Sequence, residues 1–87
     1  MKNIIINYIN KITIDDINSY LISNDIYLDN NELTFTYEFI KTKFINYLDA
    51  LDTFNINDYQ SFYQKSNFEK IKNLYEEVYQ KYHYLIK

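Results

Sequence analysis

No glycine and no proline occurs anywhere in this 87-residue chain. An average chain of this length carries about 6 glycines and about 4 prolines. Glycine turns a backbone through positive φ without steric cost, and proline fixes the geometry of many turns. A chain lacking both must turn with Asn and Asp, whose side chains bond locally and tolerate the left-handed region. Such a chain is most easily built from helices. The expected fold is all-α: one helical domain over residues 1–87, a compact array of four to five helices rather than an up-down coiled coil.

The same absences remove chemistry. Without glycine there is no dinucleotide fingerprint, P-loop, G-x-S-x-G elbow or ordinary EF-hand loop. Cysteine is absent and there is one histidine, so thiolate chemistry, cysteine-ligated metals and H-E-x-x-H are excluded. All 9 basic residues are lysine, so an arginine finger and a bidentate guanine reader are missing too. No nucleophile–base pair or metal set can be assembled from these positions. No enzymatic activity, no catalytic or metal-binding residues, no cofactor and no small-molecule substrate are therefore expected.

Charge and hydropathy narrow the partners. The net charge is −3. Residues 1–58 hold four lysines against nine acids, and residues 59–87 hold five against three. An acidic surface repels phosphate, so nucleic acid is not the expected partner. The longest aliphatic run, Ile4-Ile5-Ile6, is far too short for a membrane span or a signal-peptide core. A soluble cytoplasmic protein with no membrane partner is expected. The 14 Ile, 12 Asn, 11 Tyr and 9 Lys all have AT-rich codons, which a GC-poor bacterial genome supplies without selection for function.

Helix starts are written as an N-cap residue followed three positions later by an acid or amide. The pattern occurs at Thr13–Asp16, Asp29–Glu32, Asn57–Gln60 and Ser66–Glu69. The last segment is the clearest. On a wheel of 100° per residue, Phe68, Ile71, Leu74, Tyr75, Val78, Tyr79, Tyr82, Leu85 and Ile86 fall within one arc of roughly 140°. Glu77 and Lys81 add a favourably oriented i,i+4 ion pair. The periodicity predicts a long amphipathic helix over 67–86.

Residues 30–52 carry two apolar flanks. Leu33, Tyr37, Ile40, Phe44, Tyr47, Leu48 and Leu51 form one stripe at helical spacing, and Phe35, Phe39 and Ala50 form the second. A helix apolar on more than one side packs from two directions at the centre of a domain. The alternative is α+β: Glu32 to Phe39 alternates strictly, and a small hairpin at 26–39 can be drawn with a third strand from residues 4–9. The helix is preferred because its stripe runs unbroken to Leu51. Shorter helices are expected over 3–11, with Ile5 and Ile9 inward, over 14–24, with Ile14, Ile17, Tyr20 and Leu21 inward, and over 58–65, carrying Phe62. The connectors Asn24–Leu28 and Thr53–Ile56 turn without glycine.

The run Ile9-Asn10-Lys11-Ile12-Thr13, then Asp16-Ile17, Tyr20, an Asn-Asp-Ile-Tyr-Leu connector and Phe39-Ile40-Lys41 resembles the small YqfT-type proteins of low-GC Gram-positive bacteria and their wall-less relatives. That family has no assigned function. The resemblance implies a helical fold and contributes no catalytic residues. The chain departs from the family after the third helix, reading Asn46-Tyr47-Leu48-Asp49 where a glycine or lysine-rich link is usual.

Several residues invite functional readings. His83 lies at the edge of the polar face of the last helix, and a solvated surface histidine accounts for it. Asp15-Asp16 and Glu76-Glu77 point about 100° apart on their helices and do not converge. Asp52, Asn55, Asn57 and Asp58 lack the spacing and the glycine of a calcium loop. Tyr75, Tyr79 and Tyr82 share a buried stripe, which places ring bodies inward rather than against bases. The segment 14–44 can be drawn as a helix-turn-helix, but its reader would begin Asn30-Asn31-Glu32, with Lys41 and Lys43 only late.

Phe35 and Phe39 are the sharpest hint. They stand i,i+4 on the flank opposite the main stripe, where either the N-terminal or the fourth helix covers them or they form a partner or self-association patch. Tyr84 is the large ring on the polar side of the last helix and joins them as a candidate interaction residue. The expected function is that of a non-catalytic protein–protein interaction module binding another protein or itself. A mobile-element-encoded inhibitor or accessory factor acting on a basic protein is the alternative, and a weak nucleic-acid binder the third reading.

Overall fold

The computed structural model describes residues 2–48, 50 and 53–82. Its elements are α1 (Lys2–Lys11), α2 (Ile14–Ser23), α3 (Asn30–Phe39), a π-helical turn (Ile40–Phe44), α4 (Ile45–Tyr47), a 3₁₀ segment (Ile56–Phe62) and α5 (Lys65–Tyr82). No strand occurs among the described residues, so the fold is all-α and the hairpin drawn over 26–39 is replaced by α3. The strict alternation of residues 32–39 is overridden because both of its faces are covered.

Two of the four helix starts form as capping boxes. Thr13 Oγ1 accepts the Asp16 N–H while Asp16 accepts the Thr13 N–H, at 3.1 and 3.0 Å. Asp29 and Glu32 exchange the same pair of bonds at the head of α3. The other two fail. Asn55, not Asn57, heads the following segment, accepting the Asn57 N–H, and that segment is a 3₁₀ helix over 56–62 in place of an α-helix over 58–65. Ser66 falls inside the first turn of α5, which starts at Lys65.

The glycine-free turn after α2 is made by Asp25, at φ 63°. The Asp25 N–H donates to Ile22 O and the Ile26 N–H to Leu21 O, both at 2.9 Å, the two bonds of a Schellman motif with aspartate in the glycine position. The motif turns Ile26 back onto the helix it leaves. Ile26 is 1% exposed and forms the core with Ile17 and Leu21 of α2. Lys70 of α5 holds the turn from outside, donating to Asp25 O at 3.0 Å.

The two apolar flanks of the third helix face two different layers. Leu33, Tyr37 and Ile40 pack on the Ile17–Leu21–Ile26 core, which Ile71 and Leu74 of α5 also touch. Phe35 and Phe39 face the 3₁₀ segment. Phe44 corrects the wheel. In an unbroken α-helix it would lie beneath Ile40, but the i→i+5 π turn changes the phase and brings it to Phe39, 6.2 Å between ring centres. Tyr20 is a second correction: it is exposed, and the inner face of α2 is made by Ile17 and Leu21, buried, with Ile14 half-buried. On α5 the expected stripe holds over the described part, with Phe68 buried and Ile71, Leu74, Tyr75, Val78 and Tyr79 half-buried.

Candidate functional site

Phe35 and Phe39 anchor an aromatic layer between α3 and the 3₁₀ segment. Phe39 lies 4.7 Å from Tyr59 and 5.8 Å from Phe54, centre to centre. Phe54 in turn meets Tyr47, Phe44 and Tyr75, which ties α4 and α5 to the same layer. Rings tilted or edge-on at 4.5–7 Å are the favoured arrangement, because positive edges meet negative faces. Phe35 and Phe39 are each half-buried. Their cover is the 3₁₀ segment, which follows Phe54 and returns the chain across α3.

Phe62 differs from the rest. It lies parallel to Phe35, 4.2 Å between centres with planes within 5°, yet it is 52% exposed. One face is therefore seated on Phe35 while much of the ring meets solvent. The periodicity puts Phe62 on a short helix, and no local pattern distinguishes it, because its neighbour in space is 27 positions away.

A polar brace holds the 3₁₀ segment against α3. Tyr63 shares a 2.6 Å hydrogen bond with Thr36, whose hydroxyl is also 2.8 Å from Glu32 O. Burial, with a smaller contribution from the Glu32 charge, holds the Tyr63 hydroxyl above its ordinary value despite the Thr36 bond. One residue on, the Gln64 N–H donates to Glu32 Oε2 at 2.7 Å, and Asn67 Nδ2 donates to Oε1 at 3.0 Å. Glu32 is 3% exposed and already receives the Asp29 N–H. A single carboxylate thus closes the capping box of α3 and satisfies the N–H of the residue preceding α5.

Tyr59, in the middle of the layer, is pushed up to about 12 by its hydrogen bond with Tyr47, by burial, and by the neighbouring Tyr47 and Asp58 charges. The Asp15 and Asp16 side chains and the Glu76 and Glu77 side chains remain on the surface. No three Asp, Glu, His or Cys residues converge as metal ligands among the described residues. Tyr84 and His83 lie outside the described residues.

Other apolar side chains reach the surface singly or in pairs, Ile4 and Tyr8 on α1 among them. A shallow cleft of about 210 Å³ lies where the turn after α2 meets α5, lined by Asn24, Ile26, Lys70, Asn73, Leu74 and Glu77. Its lysine is already engaged with Asp25. No described helix is long and apolar enough to cross a membrane. The sequence matches no protein-family model and no curated protein, and the fold matches no solved structure.

Proposed function

We propose that this chain is a non-catalytic protein-interaction module that docks through the aromatic surface formed by α3 and the 3₁₀ segment. The observation that supports this reading is Phe62, half-exposed yet held flat on Phe35. Interface anchors are aromatic side chains that gain most when their position is set before binding, since less rotamer freedom is then lost. Phe35 and Phe39 serve as its foundation, with their accessible edges adding contact area. Tyr84 is a separately testable interaction residue. The resemblance to the YqfT-type proteins is compatible with this reading and adds no residue to it.

Phe62→Ser separates docking from folding. Affinity capture with the wild-type chain and with the variant, run beside thermal unfolding of both, is the experiment. Loss of the captured partner is the expected result, with the unfolding temperature lowered only by the roughly 4–8 °C that about 1 kcal/mol costs a domain of this size. Equal capture by both chains would remove the Phe62 surface from the function.

A further inference from the structure

We infer that the 3₁₀ segment is a strap that opens from α3 as one unit, between Asn55 and Tyr63, while the aliphatic core stays folded. Such an opening is independent of the docking reading. The two layers differ in burial. Ile17, Leu21 and Ile26 are buried in the aliphatic core. In the aromatic layer Phe35, Phe39, Phe54 and Tyr59 are half-buried, and Phe62 is exposed. No residue of the 3₁₀ segment is buried, and 3₁₀ hydrogen bonds have poorer geometry than α-helical ones. A layer that hides less apolar surface from water costs less to open, and elements with exposed backbone bonds open first.

The attachments of the strap leave the rest of the fold joined without it. The Asp58 N–H donates to Asn55 O and the Tyr63 N–H to Gln60 O, so these bonds stay local. The strap meets α3 through side chains: the Tyr63–Thr36 bond, and the rings of Tyr59, Phe62 and Tyr63 against Phe35. Tyr59 also meets Phe39 and Phe54. By contrast, α5 is tied to α3 directly. Glu32 accepts the Gln64 N–H and the Asn67 side chain, and Ile71 and Leu74 share the core with Leu33 and Tyr37. The ends of the strap suit a hinge. Asn55 (φ −121°, ψ 107°) and Tyr63 (φ −127°, ψ 153°) are extended residues, each beside an anchor: Phe54 among the rings and Gln64 on Glu32. A few residues at the ends of an element can absorb the backbone rotation that hinge motion needs. Release uncovers the side of Phe35 and Phe39 that Tyr59 and Phe62 cover, so the aromatic surface has a closed form and a larger open one.

Amide hydrogen exchange of the full chain, read residue by residue by NMR where exchange follows the opening equilibrium, tests this with two conservative variants. Tyr63→Phe keeps the ring and gives up the Thr36 bond. It should raise exchange of the Asp58 and Tyr63 amides together, roughly fivefold. Ile17→Val loosens the aliphatic core and should raise exchange of the Leu21 and Ile26 amides about fivefold. The strap amides should then keep their wild-type rates, because a strap that opens alone does not feel a change in the core it leaves behind. If Ile17→Val raises strap and core amides by the same factor, the layers unfold as one and the strap is overturned. If Tyr63→Phe leaves the Asp58 amide at its wild-type rate, the segment frays residue by residue, and the single opening unit is overturned.

Discussion

The Gln64 N–H donates to the Glu32 carboxylate at 2.7 Å across 32 positions of sequence, at the point where the 3₁₀ segment gives way to α5. The same carboxylate accepts the Asp29 N–H and the Asn67 side chain. It is buried with neutral donors and, among the described residues, no ion pair. Two helix starts and the cover of the aromatic layer therefore depend on one acidic side chain.

Glu32→Ala would leave those N–H groups in a nearly dry site with no acceptor. Removing one partner of a buried hydrogen-bonded charge costs about 2–4 kcal/mol. Urea unfolding of the variant should show a loss of that size with an unchanged slope. Glu32→Gln retains one carbonyl oxygen and should lose less. A change below about 0.5 kcal/mol for the alanine variant, the range of an ordinary surface substitution, would mean the network contributes little.

The turn after α2 is open to a direct test at Asp25. Its φ of 63° is tolerated by aspartate and strongly disfavoured for a β-branched residue. Asp25→Val should cost about 1–2 kcal/mol. Asp25→Gly relieves the same strain but gives up the exposed Lys70 contact, which is worth about 0–1 kcal/mol. The glycine variant should match or exceed the wild type in unfolding temperature. Equal loss in both variants would show that the Lys70 contact, not the backbone, governs this turn.

Phe35 and Phe62 make one stack but should respond unequally to truncation. Phe35 is enclosed by Phe39, Tyr59, Phe62 and Tyr63, so Phe35→Ala opens a gap in the layer. A loss of about 2–3 kcal/mol is expected there, below the full range for a completely buried ring. Phe62→Ala removes a half-exposed ring and should cost about 1 kcal/mol. Chemical denaturation of both variants in parallel measures the difference. Equal losses would mean that Phe62 is a core residue, and its use as a separable probe of docking would end.

Alkaline pH should unfold the aromatic layer in a defined window. The Tyr59 hydroxyl is pushed up to about 12, first by its bond with Tyr47, so the fold favours its neutral form. Tyr63 and Tyr75 are raised as well, chiefly by burial. A group whose folded value lies above its unfolded value contributes fully below the unfolded value, near 10 for tyrosine. That contribution is lost as pH rises from there through about 12. Tyrosinate absorbance and helical circular dichroism, followed together, should show part of the tyrosine signal appearing only as helix is lost. Complete ionisation with the helical signal intact would contradict the packing of all three rings.

Much of the fold was legible locally. A capping box lies within four residues, so Thr13–Asp16 and Asp29–Glu32 could be read directly. The double apolar flank of residues 30–52 announced a helix packed on two sides, and over its described part the structure supplies an aliphatic layer on one and an aromatic layer on the other. Ser66 misled because α5 starts one residue earlier, at Lys65, which puts Ser66 inside its first turn, and Asn57 misled because Asn55 heads a tighter 3₁₀ turn there. Phe44 misled because a wheel assumes one unbroken pitch, and the π turn at 40–44 breaks it.

The residues by themselves determined the capping boxes at Thr13 and Asp29, the inward stripe of α5, and the use of an aspartate where glycine would ordinarily stand. These follow from backbone sterics and periodicity, which act over a few neighbours. Tertiary structure alone decided that Phe62 would lie on Phe35, that Glu32 would serve two helices, and that Tyr59 would meet Phe39. Each of these joins positions at least twelve apart, and only the closing of the chain on itself sets which rings share a face and which N–H meets which carboxylate.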